Sequence, residues 1–268
     1  MKLVSIDQQS FVAVVPDRER DWRSVCVEAV VSLGHSSFSP VRIVDQAPPA
    51  PPWLKRGLVK LTARSYEAAV SRLARQSTDL ARAVSSWGRP PFWTCPAGFP
   101  GMVLAILAQQ VSLESAQAAF AKLERLAGRA RPDVFMTLDD HALRAVGFSR
   151  QKASYVRGLA HAILGGQLDL DALGAMTDDD ARDVLVKIRG IGPWTADTYL
   201  LFSLRRADAW PTGDLALAKA IQELRHLRSM PSWGRVDAIA RKWKPWRAVA
   251  ARILWHHYLS VRGRSAAA

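Results

Sequence analysis

From Ser65 onward, apolar residues recur at spacings of three and four along most of the chain. That period lines them up on one face of an α-helix. It predicts helices over Tyr66–Leu73, Leu80–Trp87, Met102–Leu126, Leu143–Val146, Lys152–Leu164, Ala181–Ile188, Ala196–Leu204, Leu215–Leu227, Val236–Trp243 and Ala248–Leu259. The breaks between them carry Gly, Pro, Asp, Ser or Thr, the residues that end helices or cap new ones. No run keeps the two-residue alternation of a half-buried strand. The pattern predicts a mainly α domain of about eight to ten short helices.

The first 64 residues read differently. Phe11–Val15, Val25–Leu33 and Val41–Val44 are short and rich in Val, which suits strands, while Arg23–Leu33 suits a helix equally well. Residues 47–52 read Ala-Pro-Pro-Ala-Pro-Pro, a stiff extended linker by composition. The expected organisation is a short α/β or poorly ordered N-terminal region over 1–64 and a helical domain over 65–268. No internal repeat is evident.

Composition narrows the function classes. With 49% hydrophobic and 23% charged residues, the 268-residue chain is neither collagen-like nor wholly disordered. Lys plus Arg number 37 against 24 Asp plus Glu, a formal net charge of +13. Residues 65–268 carry most of the surplus, with 28 basic and 18 acidic residues. A polyanionic partner follows, nucleic acid before membrane. Two cysteines, Cys26 and Cys95, build neither a disulfide framework nor a four-thiolate site. The six His are scattered apart from His256 and His257, which point to different faces of a helix and chelate poorly. A zinc or iron–sulfur protein is not expected. The N-terminus lacks the pattern of a secretory signal, and Pro and Gln interrupt the longest uncharged run, Pro90–Leu113. A soluble cytoplasmic chain is expected.

The most informative stretch runs from Val184 to Ala196. Helix formers lead into Gly190-Ile191-Gly192, and a second helix starts at Pro193. Two Gly around one Ile suit a tight hairpin with positive φ angles, and Pro suits a first helical turn. The N–H groups at that helix start lack intrahelical partners and can donate to a phosphate. This is either an ordinary αα-hairpin or a helix-hairpin-helix grip on a DNA backbone; the basic, all-α context favours the grip. A second stretch, Asp208-Ala-Trp-Pro-Thr-Gly-Asp214, delivers a carboxylate to the next helix start. Asp214 suits an N-cap there. Capping leaves its place, one helix beyond the hairpin, unexplained.

Gly190-Ile-Gly-Pro-Trp-Thr-Ala196, Pro211-Thr-Gly-Asp214 and Ile106-Leu-Ala-Gln-Gln-Val-Ser112 together resemble the helix-hairpin-helix–Gly/Pro/Asp DNA glycosylase superfamily. The branch they resemble is the DNA-3-methyladenine glycosylase II type. Gly147-Phe-Ser-Arg-Gln-Lys-Ala153 and Lys242-Trp-Lys-Pro-Trp-Arg-Ala248 resemble it as well. The resemblance covers about residues 75–262, in order. It implies a two-lobed helical core acting on a damaged base in double-stranded DNA, flipped out of the duplex. It implies that Asp214 stabilises an oxocarbenium-like transition state. Trp194, Trp243 and Trp246 fall in matching motifs and are the candidate pocket aromatics for a cationic base. Relatives that cut the strand carry Lys at the Trp194 position, so Trp194 implies a monofunctional enzyme.

Gln109 and Gln110 match the segment that fills the gap left by the flipped base, Gln110 being the preferred wedge. Gly190, Ile191, Gly192 and Thr195 match the backbone grip, and Arg150 and Lys152 are either phosphate contacts or a solvated face. The family's hairpin often holds a cation on backbone carbonyls, here Val186, Ile188 and Gly190; no other cofactor is expected. Thr198 replaces an aromatic found in some relatives, which implies a different base selectivity. A monomer acting on alkylated purines, 3-methyladenine and then 7-methylguanine, is expected. Two rivals stand beside it: a glycosylase for uracil, hypoxanthine or an oxidised base, and a non-catalytic DNA-binding module. A carboxylate near phosphates repels them, so Asp214 argues against the module.

Overall fold

The computed structural model describes residues 59–263, which contain twelve α-helices and two 3-10 turns. The predicted N-terminal strands and Pro-rich linker lie outside the described residues. The only sheet-like pairing among the described residues is a single bridge between Lys60 and Arg206. Leu61 is fully buried, and Leu61 N–H donates to the Arg205 carbonyl at 2.7 Å. The helical unit therefore begins at least six residues before the expected boundary at Ser65.

The helices begin where short polar side chains replace the missing intrahelical acceptors. Thr62, Ser77, Ser112, Asp139, Ser149, Thr177, Asp214 and Ser232 each accept from a backbone N–H of the turn they open. Each such cap contributes ~1 kcal/mol. Amphipathic faces then decide the packing; the first helix, α1 (Ala63–Gln76), buries Tyr66, Ala69, Val70 and Leu73.

The packing sorts the helices into two groups. One group comes from the two ends of the described chain: α1, α2 (Thr78–Trp87), α10 (Leu215–Leu224), α11 (Trp233–Ala240) and α12 (Arg247–Val261). The other comes from the middle: α3 (Phe99–Leu107), α4 (Leu113–Ala127), α5 (Pro132–Thr137), α6 (Asp140–Ala145), α7 (Arg150–Leu164), α8 (Asp178–Leu185) and α9 (Pro193–Phe202). These are the two lobes. They meet where α9 approaches α12: Arg252 of α12 donates to the Leu201 carbonyl at 2.9 Å, and Trp255 stacks on Phe202. Both helices have almost no exposed stripe along the contact: residues 195–201 and 248–254 are buried throughout. Ala248, Ala250 and Ala251 keep α12 thin enough for close approach. No helix among the described residues is long and apolar enough to cross a membrane.

The predicted run Met102–Leu126 is two helices rather than one. Gln110 adopts φ 57°, which an α-helix cannot contain, and Ser112 caps a new start at α4. Apolar period alone carries across such a break, because both halves bury faces toward the same core.

Candidate active site

The hairpin forms where the sequence spacing places it, with one correction: Gly190 takes a positive φ, whereas Gly192 is extended at φ −87° as the residue before α9. Ile188 N–H donates to the Leu185 carbonyl and Ile191 N–H to the Ile188 carbonyl, closing the turn between α8 and α9. Gly190 sits at φ 91°, and a Cβ there would lie 2.1 Å from Cγ of Tyr155. The position excludes a side chain twice, by backbone angle and by the ring against it. Ile191 is buried beneath the turn, whereas Gly192 and Pro193 are exposed at the start of α9. No side chain caps that first turn, which leaves its N–H groups for an anionic partner.

The loop after α9 returns the chain to the hairpin. Asp208 holds Arg247 through both carboxylate oxygens, at 3.0 and 2.8 Å. Trp210 is buried, donates to Asp237 at 3.1 Å and packs against Trp243. Gly213, at φ 82°, turns the chain so that Asp214 opens α10.

Asp214 is only 9% exposed and accepts three N–H bonds. Leu217 N–H lies 2.8 Å from Oδ1, Trp194 Nε1 lies 2.8 Å from Oδ2, and Trp255 Nε1 lies 3.3 Å from Oδ1. The first is the N-cap bond that its place at a helix start predicts. The other two come from opposite lobes and fix the carboxylate between indoles. Among the described residues, no Lys, Arg or His pairs with it. A carboxylate held only by neutral donors keeps a net negative charge to offer a neighbouring cation. Trp255 continues the wall, stacked on Phe202 with centroids 5.3 Å apart and planes 20° from parallel. Behind Phe202 lies the fully buried Arg252, its guanidinium carbon 5.1 Å from the ring centroid. It donates to the carbonyls of Trp93, Leu201 and Ala248 and so ties α12 to α9. Burial draws its pKa down to about 10, which still leaves it charged at neutral pH.

The structure brings together Trp194 and Asp214, and it moves other expected residues elsewhere. Trp243 is a correction: it is 4% exposed, packs on Trp210 inside the core, and makes no bond to Asp214. Trp246 is half-buried just ahead of α12, with its N–H on the Trp243 carbonyl. A further residue on Asp214, outside the resembling motifs, is Trp255. Residues 248–254 before it are buried throughout, so the helix periodicity there marks no separate face that would single it out. Gln109 and Thr195 are also corrected, because they face each other and not outward. Gln109 Nε2 donates to Thr195 Oγ1 at 2.9 Å and to the Gly190 carbonyl at 2.8 Å, and Thr195 is buried. Lys152 directs Nζ at the Leu107 carbonyl, 2.7 Å away, which closes the end of α3; partial burial lowers its pKa. Gln110 and Arg150 are exposed. Thr198 is buried, and its hydroxyl donates to the Thr195 carbonyl. Of the three carbonyls considered for a cation, Ile188 already accepts from Ile191 N–H and Gly190 from Gln109. One lone pair remains on each.

A helix-hairpin-helix turn with open N–H groups, set near a buried carboxylate between tryptophans in an all-helical core, defines the class of protein by its architecture. The model of the HhH-GPD superfamily base excision DNA repair proteins matches residues 103–245, more than half of the chain. The chain belongs to that superfamily. It is 36% identical to the putative DNA-3-methyladenine glycosylase YfjP of Bacillus subtilis over 125 residues, which is 47% of this chain and 44% of that protein. It is 27% identical to DNA-3-methyladenine glycosylase 1 of Schizosaccharomyces pombe over 58% of this chain and 69% of that one. The chain thus spans under half of the Bacillus subtilis relative. Among solved structures, DNA-3-methyladenine glycosidase from Bacillus halodurans superposes with a TM-score of 0.62 at 27% identity, over 73% of this chain and 91% of the other. The Schizosaccharomyces pombe 3-methyladenine DNA glycosylase bound to abasic DNA shares the fold, with a TM-score of 0.65 at 24% identity over 73% and 97% of the two chains.

Proposed function

We propose that the protein is a DNA N-glycosylase that hydrolyses the bond between deoxyribose and an alkylated purine, 3-methyladenine foremost and 7-methylguanine next. The observation that carries this reading is Asp214, a buried carboxylate with three neutral N–H donors and no counter-cation among the described residues. As the glycosidic bond lengthens, positive charge grows on the sugar, and a fixed anion beside it lowers the barrier. An alkylated purine is itself a cation and leaves without strong acid assistance. The indole faces of Trp194 and Trp255 suit such a base, at ~0.5–2 kcal/mol per cation–π contact.

The substrate is double-stranded DNA with the damaged nucleotide flipped out. The hairpin takes the phosphates, and Gln110, exposed at the end of α3, takes the vacated position. The enzyme is monofunctional, since an indole at position 194 has no amine to attack the sugar. The test is a product analysis on methylated duplex. Free methylpurine with the strand intact until alkali is added is expected; release of uracil, hypoxanthine or oxidised bases instead, or a nick made by the pure protein, contradicts the proposal.

A further inference from the structure

Gln109 and Gln110 are neighbours in sequence but not in function. Gln110 projects from the end of α3 with a left-handed backbone, a conformation that costs a residue with a Cβ and persists only where its surroundings impose it. Gln109 supplies part of that imposition. Its amide nitrogen has two hydrogens, and each has an acceptor on the hairpin: the Gly190 carbonyl at 2.8 Å and Thr195 Oγ1 at 2.9 Å. Gly190 is the left-handed residue of the turn, and Thr195 lies in the first turn of α9. The two acceptors flank the uncapped N–H groups at the start of α9. On its other side, the end of α3 is held by Lys152 Nζ on the Leu107 carbonyl.

The geometry points to Gln109 as a positioning residue that couples the hairpin's grip on the backbone to the Gln110 turn, so that seating on the duplex and insertion into the vacated base position occur together. This rests on the reading that the hairpin binds duplex DNA. Neither bond survives in Gln109→Met, which keeps the length of the side chain. Gln109→Glu replaces both donors with acceptors and sets an oxygen against the Gly190 carbonyl.

The experiment uses the full chain and a duplex containing a stable abasic analogue, with 2-aminopurine opposite it. Fluorescence anisotropy reports binding, and 2-aminopurine emission reports insertion. Gln109→Met is expected to bind within roughly threefold of wild type while losing most of the emission change, since the hairpin's own N–H groups are untouched and only the tether is cut; Gln109→Glu, whose new carboxylate also repels phosphate, should lose a larger factor in emission than in affinity. Gln110→Ala should lose the emission change, and Thr195→Val, which removes one acceptor at constant shape, part of it. Thr195→Val carries the test if the Gln109 variants fail to fold. Wild-type emission in the Gln109 variants, no emission change in wild type itself, or affinity and emission falling in proportion would each overturn the coupling. If wild type releases no methylpurine yet the split persists, the coupling stands and the proposed reaction falls.

Discussion

Replacing Trp194 by Phe removes one donor from the carboxylate and leaves an aromatic face in place. The lost bond is the shorter of the two indole contacts, 2.8 Å to Oδ2 against 3.3 Å from Trp255 to Oδ1. A hydrogen bond to a charged group contributes about 1.5–3 kcal/mol. At ~1.4 kcal/mol per tenfold, its full loss in the transition state would slow base release by roughly 10- to 150-fold. Two effects oppose each other. An N–H donor draws charge from the carboxylate, so its removal leaves a stronger anion. It also fixes the direction of that anion, and a 91%-buried carboxylate with an empty acceptor position turns or draws in water. Leu217 N–H and Trp255 both engage Oδ1, so Oδ2 is left with no donor in its place and orientation should win. The expected result is a fall of about 10- to 50-fold in single-turnover release from methylated duplex, with affinity for abasic duplex unchanged. Trp255→Phe should cost less, roughly three- to tenfold, because its bond is long. A double-mutant cycle settles the cause: in an Asp214→Asn background, Trp194→Phe should add almost nothing. An equal loss in both backgrounds would refute the argument, for Trp194 would then act on the base directly and not through the carboxylate.

Gly190→Ala should lower the melting temperature and duplex affinity together, since the new Cβ meets the Tyr155 ring at 2.1 Å in a left-handed backbone. Arg252→Met should destabilise the fold by about 2–5 kcal/mol in urea unfolding, because the Trp93 and Leu201 carbonyls lose their donor across the seam. Burial raises the Asp178 carboxyl to about 6 despite Arg206 nearby. A carboxyl raised on folding stabilises below its unfolded value, and that contribution is lost as pH rises through about 6; Asp178→Asn should therefore gain stability relative to wild type between pH 4 and 7, read from paired thermal melts. Affinity for duplex should fall steeply with added salt, as phosphate contacts release counterions, and a flat response in binding titrations would contradict the hairpin's role.

Much of this was legible in the sequence because the signals are local. Helix period, the capping residues and the Gly190-Ile191-Gly192 turn each act within a few residues, and each reappears in the structure. The break at Gln110 was not legible, since a left-handed Gln has no compositional mark and the bonds of its neighbour Gln109 run to Gly190 and Thr195, far along the chain. Which of the tryptophans lie on Asp214 was legible only in part, for a related reason. Trp243 and Trp246 sit in a recognisable motif, but a motif does not say which ring faces a pocket; Trp243 turned inward to Trp210. Trp255 reaches Asp214 because α10 packs against α12, a fact of tertiary packing. Gln109 shows the same limit from the other side: a polar residue at an expected DNA-facing position spends its amide inside the protein.

The most direct test of the central claim compares wild type with Asp214→Asn on duplex DNA carrying methylated purines. Asn still caps α10, so the fold and the duplex affinity should hold, while a neutral amide cannot stabilise a developing cation. Wild type should release methylpurine, and the variant should do so ~10²–10³ times more slowly at unchanged binding. Equal release by the two proteins would remove Asp214 from the chemistry, and release by neither, with binding intact, would leave a protein that grips DNA without cleaving the glycosidic bond.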